Sequence, residues 1–153
     1  MNFLSTAFKY LNLVGGFATI GALLAMAFFL LDNEGKISTS GEKLRNFLKA
    51  SAATWFIGVI GSILFTLAQI LDSALSVALD PTVIRSFITQ ITLGQYLAFE
   101  AVMALLVLIC CFKAKKIVNL IVLLFVSIVG IIAAVFQSHA ASGGSLSLVI
   151  GSL

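Results

Sequence analysis

Four apolar runs, separated by short polar stretches, set the layout of this chain. They cover Leu11–Leu31, about Ala50–Leu71, Leu93–Phe112 and Ile117–Phe136. Each is close to the ~20 residues that an α-helix needs to cross the hydrocarbon of a bilayer. Asp32 to Ser40 forms a polar loop, and Thr39 with Glu42 has the spacing of a capping box, so a helix is expected to start there. Its first turns, with Lys43, Arg45 and Lys49, belong to the headgroup region, and Asp72 closes the second run. Asp80-Pro81 is the next punctuation: aspartate suits an N-cap and proline the first helical position. Val83, Ile84, Phe87, Ile88 and Ile91 then recur at helical spacing, while Arg85, Ser86, Thr89 and Gln90 take the other faces. This stretch reads as a short amphipathic helix over residues 81–90, lying in the membrane interface and turning at Gly94 into the third span.

The expected fold is therefore all-α: a polytopic membrane protein of one domain, with four transmembrane helices in an up-down bundle and one short interfacial helix. Three small-xxx-small pairs, Gly21/Ala25, Ala18/Ala22 and Gly58/Ser62, predict close helix approach. Trp55, near one end of the second run, has the place of an interfacial aromatic. Lys9 and the small residues Ala22–Ala27 imitate a secretory leader, but the run from Leu11 exceeds the roughly 7–15 residues of a leader's apolar region, so it reads as a retained span.

Composition agrees with burial in lipid. The 153 residues are 61% hydrophobic and only 10% charged, where a soluble domain carries roughly a quarter charged residues. The formal charge of +3 comes from basic residues in short loops, which suit anionic headgroups; no basic stripe with interleaved aromatics points to nucleic acid. Lys36, Lys43, Arg45 and Lys49 flank the first connection, Lys113, Lys115 and Lys116 the last, and Arg85 alone the middle one. The positive-inside rule puts the two basic connections in the cytoplasm and both termini outside. Adjacent Cys110 and Cys111 cannot form an unstrained bridge.

Among candidate chemical groups, Glu100 is foremost. It lies about seven residues into the third span, roughly 10 Å below the outer edge, where a charge costs roughly 2.5–3.5 kcal/mol. It must be protonated, paired or turned to a wet cavity inside the bundle, near the second or fourth span. Tyr96 and Met103 share its face, and Gln95 is a polar neighbour. Glu100 is either a way-station for protons or cations, or a neutral acid that glues two helices. His139, with Gln137 and Asp72, offers an outer metal entry site, since imidazole and carboxylate suit divalent copper. Met26, Met103, Cys110 and Cys111 offer soft sulfur for monovalent copper, or ordinary apolar filling. One histidine excludes a haem held by two histidines of this chain. No acid pair, His-Asp-nucleophile set or phosphate-binding glycine loop is present, so the chain is not expected to be an enzyme.

The linker LDSALSVALDPTVIRSFITQITLGQYL and the segment VFQSHAASGG, similar to a "GHA" segment followed by a polar loop, resemble the bacterial copper-resistance D (CopD) family of inner-membrane proteins. The resemblance covers nearly the whole chain but only the first half of the family core. It implies copper passage or copper tolerance at the bacterial cell membrane, with copper as the ion handled. It also implies further transmembrane helices from a longer chain or a partner subunit. Glu100 stands where the family often has a basic residue. Two other readings remain: a non-catalytic structural or assembly subunit of a membrane complex, and part of a proton-coupled transporter using Glu100.

Overall fold

The computed structural model describes residues 2–29, 39–72, 75–114 and 116–141. Among them the chain is all-helical: α1 (Asn2–Phe28), α2 (Thr39–Ile70), α3 (Leu75–Ala78), α4 (Pro81–Gln90), α5 (Thr92–Cys111) and α6 (Ile117–Ala141). Phe3–Phe28, Gly41–Ile70 and Thr92–Cys111 are long and apolar enough to cross a membrane, and Ile117–Ala133 adds a shorter apolar helix. At 32 residues α2 is about 48 Å long, more than the ~30 Å of bilayer hydrocarbon, so its charged first turns reach beyond the apolar layer.

Each long helix buries its packing face. On α5 this is a narrow strip, Gly94, Leu97, Glu100, Ala104, Val107 and Cys111, at steps of three or four. The opposite faces, such as Val102, Leu106 and Ile109 of α5 and Val118, Val122 and Phe125 of α6, stay apolar and exposed, as lipid contact requires. The strips meet in a closed ring, in which α1 packs on α2 and α6, and α5 packs on α2 and α6. α1 and α2 run antiparallel. The Ser5 hydroxyl donates to Gln69 Oε1 at 3.3 Å, Phe8 stacks on Phe65 with centroids 5.2 Å apart, and Thr19 meets Ser51 Oγ at 3.1 Å. α2 and α5 are antiparallel too: Arg45 donates to Phe112 O at 3.3 Å, and Trp55 reaches Glu100.

Glycines set the closest approaches. A Cβ on Gly15 would lie 2.5 Å from the Trp55 backbone nitrogen, and one on Gly58 would collide with the Asn12 backbone. Gly21 has nothing within 4 Å of its Cβ position, so the Gly21/Ala25 pair is no packing face. The α1 seam is instead the strip through Asn12, Gly15, Gly16 and Thr19. Helical spacing around Gly21 was ambiguous because α1 is apolar on nearly every side.

Four further expectations change. α1 begins at Asn2 rather than Leu11 and ends at Phe28, which draws Lys9 into the helix, exposed, where its long stem lets the ammonium reach headgroups. α6 continues past Phe136 to Ala141. Trp55 is not interfacial but lies midway along α2, fully buried. The turn between α4 and α5 falls at Ile91, which has extended φ −112 and ψ 123 and serves both as C-cap of α4 and N-cap of α5. Gly94 lies in the first turn of α5, and its missing Cβ lets the Phe87 carbonyl come into contact.

The start of α4 is as the sequence predicts. Asp80 is the N-cap and accepts from the Thr82 amide at 2.8 Å, with Pro81 next. The Thr82 hydroxyl, followed by that amide, holds the Asp80 carboxyl below its ordinary value of 3.8. Phe87 is buried against the bundle, and Val83, Ile84 and Ile88 pack beside it.

Candidate functional site

Four helices converge on Trp55. Its ring lies in a slot made by glycines: a Cβ on Gly130 of α6 would be 2.9 Å from the ring, and one on Gly16 of α1 would be 3.3 Å from the indole nitrogen. The slot places Trp55 Nε1–H to donate to Glu100 Oε1 at 3.2 Å. Both residues are 0% exposed. Glu100 therefore faces the bundle interior beside α2, roughly 12 Å along α5 from its first residue. A bare carboxyl at this depth is costly, and the indole donor offsets part of that cost.

Met103 joins this centre. It is one helical turn from Glu100, partly buried, and its Cβ lies 3.0 Å from the Cβ position of Gly130, next to the indole. The Trp55 ring and the Met103 Cβ thus both come against Gly130, with the indole nitrogen on the Glu100 carboxyl. Tyr96 stands one turn toward the other end of α5, half-buried on the same face. Gln95 does not join them: it is exposed, and its Nε2 donates to Thr89 O at 3.2 Å, clipping α5 to the end of α4.

The proposed entry residues are less assembled. Asp72 is exposed just past α2 and has the left-handed φ of 45, which ends the helix. The side chains of Gln137 and His139, in the last turns of α6, fall outside the described residues. No group of three His, Cys, Asp or Glu side chains gathers into a metal site among the described residues. Met26 is fully buried near the end of α1, about a dozen residues from Gly15 and hence well away from the Trp55 level where Met103 lies. Cys110 is exposed, whereas Cys111 is buried with its thiol donating to Leu108 O at 3.0 Å. The two sulfurs point apart, and Met26, Met103 and the cysteines form no common cluster.

The far end of the ring is basic and tightly tied. Arg45 pairs with Glu42 at 2.9 Å while donating to Phe112 O, and Lys49 Nζ sits 5.0 Å from the Phe112 ring centroid.

Sequence reasoning missed Trp55 as the partner of Glu100, and missed a buried polar seam between α1 and α2. Ser5, Asn12 and Thr19 lie at seven-residue spacing on α1; Ser5 meets Gln69, Thr19 meets Ser51, and Asn12 backs onto Gly58, one turn from Ser62 on α2. The Thr19 hydroxyl donates to Gly15 O at 2.7 Å or to Ser51, and Ser51 donates to Leu48 O at 3.0 Å. The seven-residue spacing of three polar residues in an apolar run was the signal available.

A family model described as copper resistance protein D-like, N-terminal domain, matches residues 2–148. No curated protein and no solved structure matches the chain significantly.

Proposed function

Because the chain belongs to the copper resistance protein D-like family, whose N-terminal domain it matches over nearly its whole length, we propose that it is a single-domain, four-span, non-catalytic unit that passes copper across the bacterial cell membrane. In this reading α1, α2, α5 and α6 cross the bilayer up and down, and α4 lies in the outer interface. The basic connections face the cytoplasm and both termini face outward. Copper is the cargo. Glu100, Trp55 and Met103 form the mid-membrane station, with Tyr96 toward its outer side. Asp72 and His139 receive the ion at the outer mouth.

The observation that carries this reading is the fully buried Glu100 carboxyl bonded to Trp55 at the crossing of all four long helices. An ionisable group inside a membrane bundle is expensive and is retained where ions or protons move. A methionine one turn from the carboxyl and an indole bonded to it are side chains that suit a soft monovalent cation. The matched model is an N-terminal domain, which supports a reading with further helices of the same path in a neighbouring segment or subunit.

The test is copper uptake into vesicles carrying the full protein, with and without Glu100→Gln. Passage through this centre predicts unchanged abundance and at least a tenfold loss of uptake. Unchanged uptake would mean that Glu100 only joins helices. Uptake that follows pH but not copper would move the reading to a proton-coupled transporter.

A further inference from the structure

The polar seam between α1 and α2 is satisfied at both ends and open in the middle. Ser5 bonds Gln69 at one end, and at the other Ser51 donates to a backbone carbonyl and Thr19 to another or to Ser51. Between them, Asn12 Oδ1 and Ser62 Oγ are buried and meet no hydrogen-bond partner among the described residues. Asn12 is 5% exposed and Ser62 3%. The missing Cβ of Gly58 brings α2 against the Asn12 backbone, and Ser62 is the next residue on that same face, one turn on.

A buried amide oxygen and a buried hydroxyl without partners cost about 1–3 kcal/mol each in an apolar interior. Protein interiors meet this cost with ordered water, which needs two or more polar neighbours. Two neutral oxygens are too few for a hard cation, which takes roughly six or more. They are also too hard for monovalent copper. Water fits both: it donates to Asn12 Oδ1 and exchanges a hydrogen bond with Ser62 Oγ.

Place gives this water a role. Gly58, opposite Asn12, is three residues from Trp55, or about 4.5 Å along the axis. On the other side Thr66, also buried, and then Gln69 follow Ser62 at steps of about 6 and 4.5 Å. Two hydrogen bonds through one water span roughly 5.6 Å. We propose that Asn12 and Ser62 hold an ordered water between α1 and α2, and that this water connects the Trp55–Glu100 centre to the Gln69 end of the bundle. The connection stands whether or not copper passes.

The sole tryptophan makes it measurable, because Trp55 gives one indole N–H signal. The full chain, labelled with ¹⁵N-tryptophan in lipid nanodiscs, is transferred to D₂O and exchange of that N–H is followed. The double variant Asn12→Leu, Ser62→Ala removes both water contacts, and exchange is expected to slow at least tenfold. Ser62→Ala alone is expected to slow it several-fold. Thr19→Val, on the same seam beyond Trp55, is expected to keep the wild-type rate. Unchanged or faster exchange in the double variant overturns the proposal. So does equal slowing in Thr19→Val, which would report general stiffening. If the double variant does not fold, a wild-type rate in Ser62→Ala overturns it.

Discussion

Replacing Trp55 with phenylalanine removes one hydrogen-bond donor and part of one ring from the most crowded point of the bundle. Two costs follow from the structure. The Glu100 oxygen loses the indole donor at 3.2 Å inside a site with no solvent exposure, a loss of about 1–3 kcal/mol. The slot between Gly16 and Gly130 is rigid backbone on two sides and closes poorly over the missing ring, adding about 1 kcal/mol of cavity cost. The sum is about 2–4 kcal/mol. The share owed to the hydrogen bond is separable by a double-mutant cycle with Glu100→Leu, which removes the acceptor of the same bond. Interhelical bonds in bilayers couple by about 0.6 kcal/mol on average and up to about 1.7, and a carboxyl acceptor belongs at the upper end. The assay is reversible unfolding in mixed micelles, followed by circular dichroism because the variant lacks tryptophan. Stability losses that add within about 0.3 kcal/mol would refute the bond between α2 and α5 as a determinant of the fold.

Gly94→Ala is expected to lift α4 from α5, destabilising by about 1–3 kcal/mol because the new Cβ meets the Phe87 carbonyl, whereas Gly21→Ala should be neutral or slightly stabilising; micelle unfolding of the pair checks both. Asp80 has a folded-state pKa below 3.8, so its capping contribution is complete above that value and fades as pH falls through the lower folded one. The Thr82 amide signal should titrate in that acid range in wild type and lose the transition in Asp80→Asn. Maleimide should label exposed Cys110 at least tenfold faster than buried Cys111, read by mass spectrometry of the single-cysteine variants Cys111→Ala and Cys110→Ala.

The helices were legible in the sequence because their causes are local. Asp80-Pro81 fixes the start of α4 through one cap and one ring, and Lys113 ends an apolar run whatever surrounds it. Glu100 was legible as an interior residue because lipid tolerates no exposed acid at that depth. Its partner was not. Tryptophan near the edge of an apolar run usually marks the interface, and only the length of α2, which extends the helix well beyond that run, puts Trp55 at its middle. Of the small-residue pairs, Gly58/Ser62 lies on a packing face and Gly21/Ala25 does not: in an all-apolar helix, spacing does not say which face meets protein. Gly15, Gly16 and Gly58 matter because a neighbouring helix comes against them, which is a tertiary fact. The entry residues were read from the termini of elements, where Asp72 follows the end of α2 and α6 runs on past its apolar part.

The lashing of Arg45 and Lys49 to Phe112 has a mechanical meaning. One end of the ring is tied by a charged fork on a helix-end carbonyl, a cation over an aromatic ring and the short turn from α5 to α6. The other end ties α1 to α2 through neutral groups, the Ser5–Gln69 bond and the Phe8–Phe65 stack. α2 is thus the strut of the bundle, braced at its basic end against α5 and at its other end against α1.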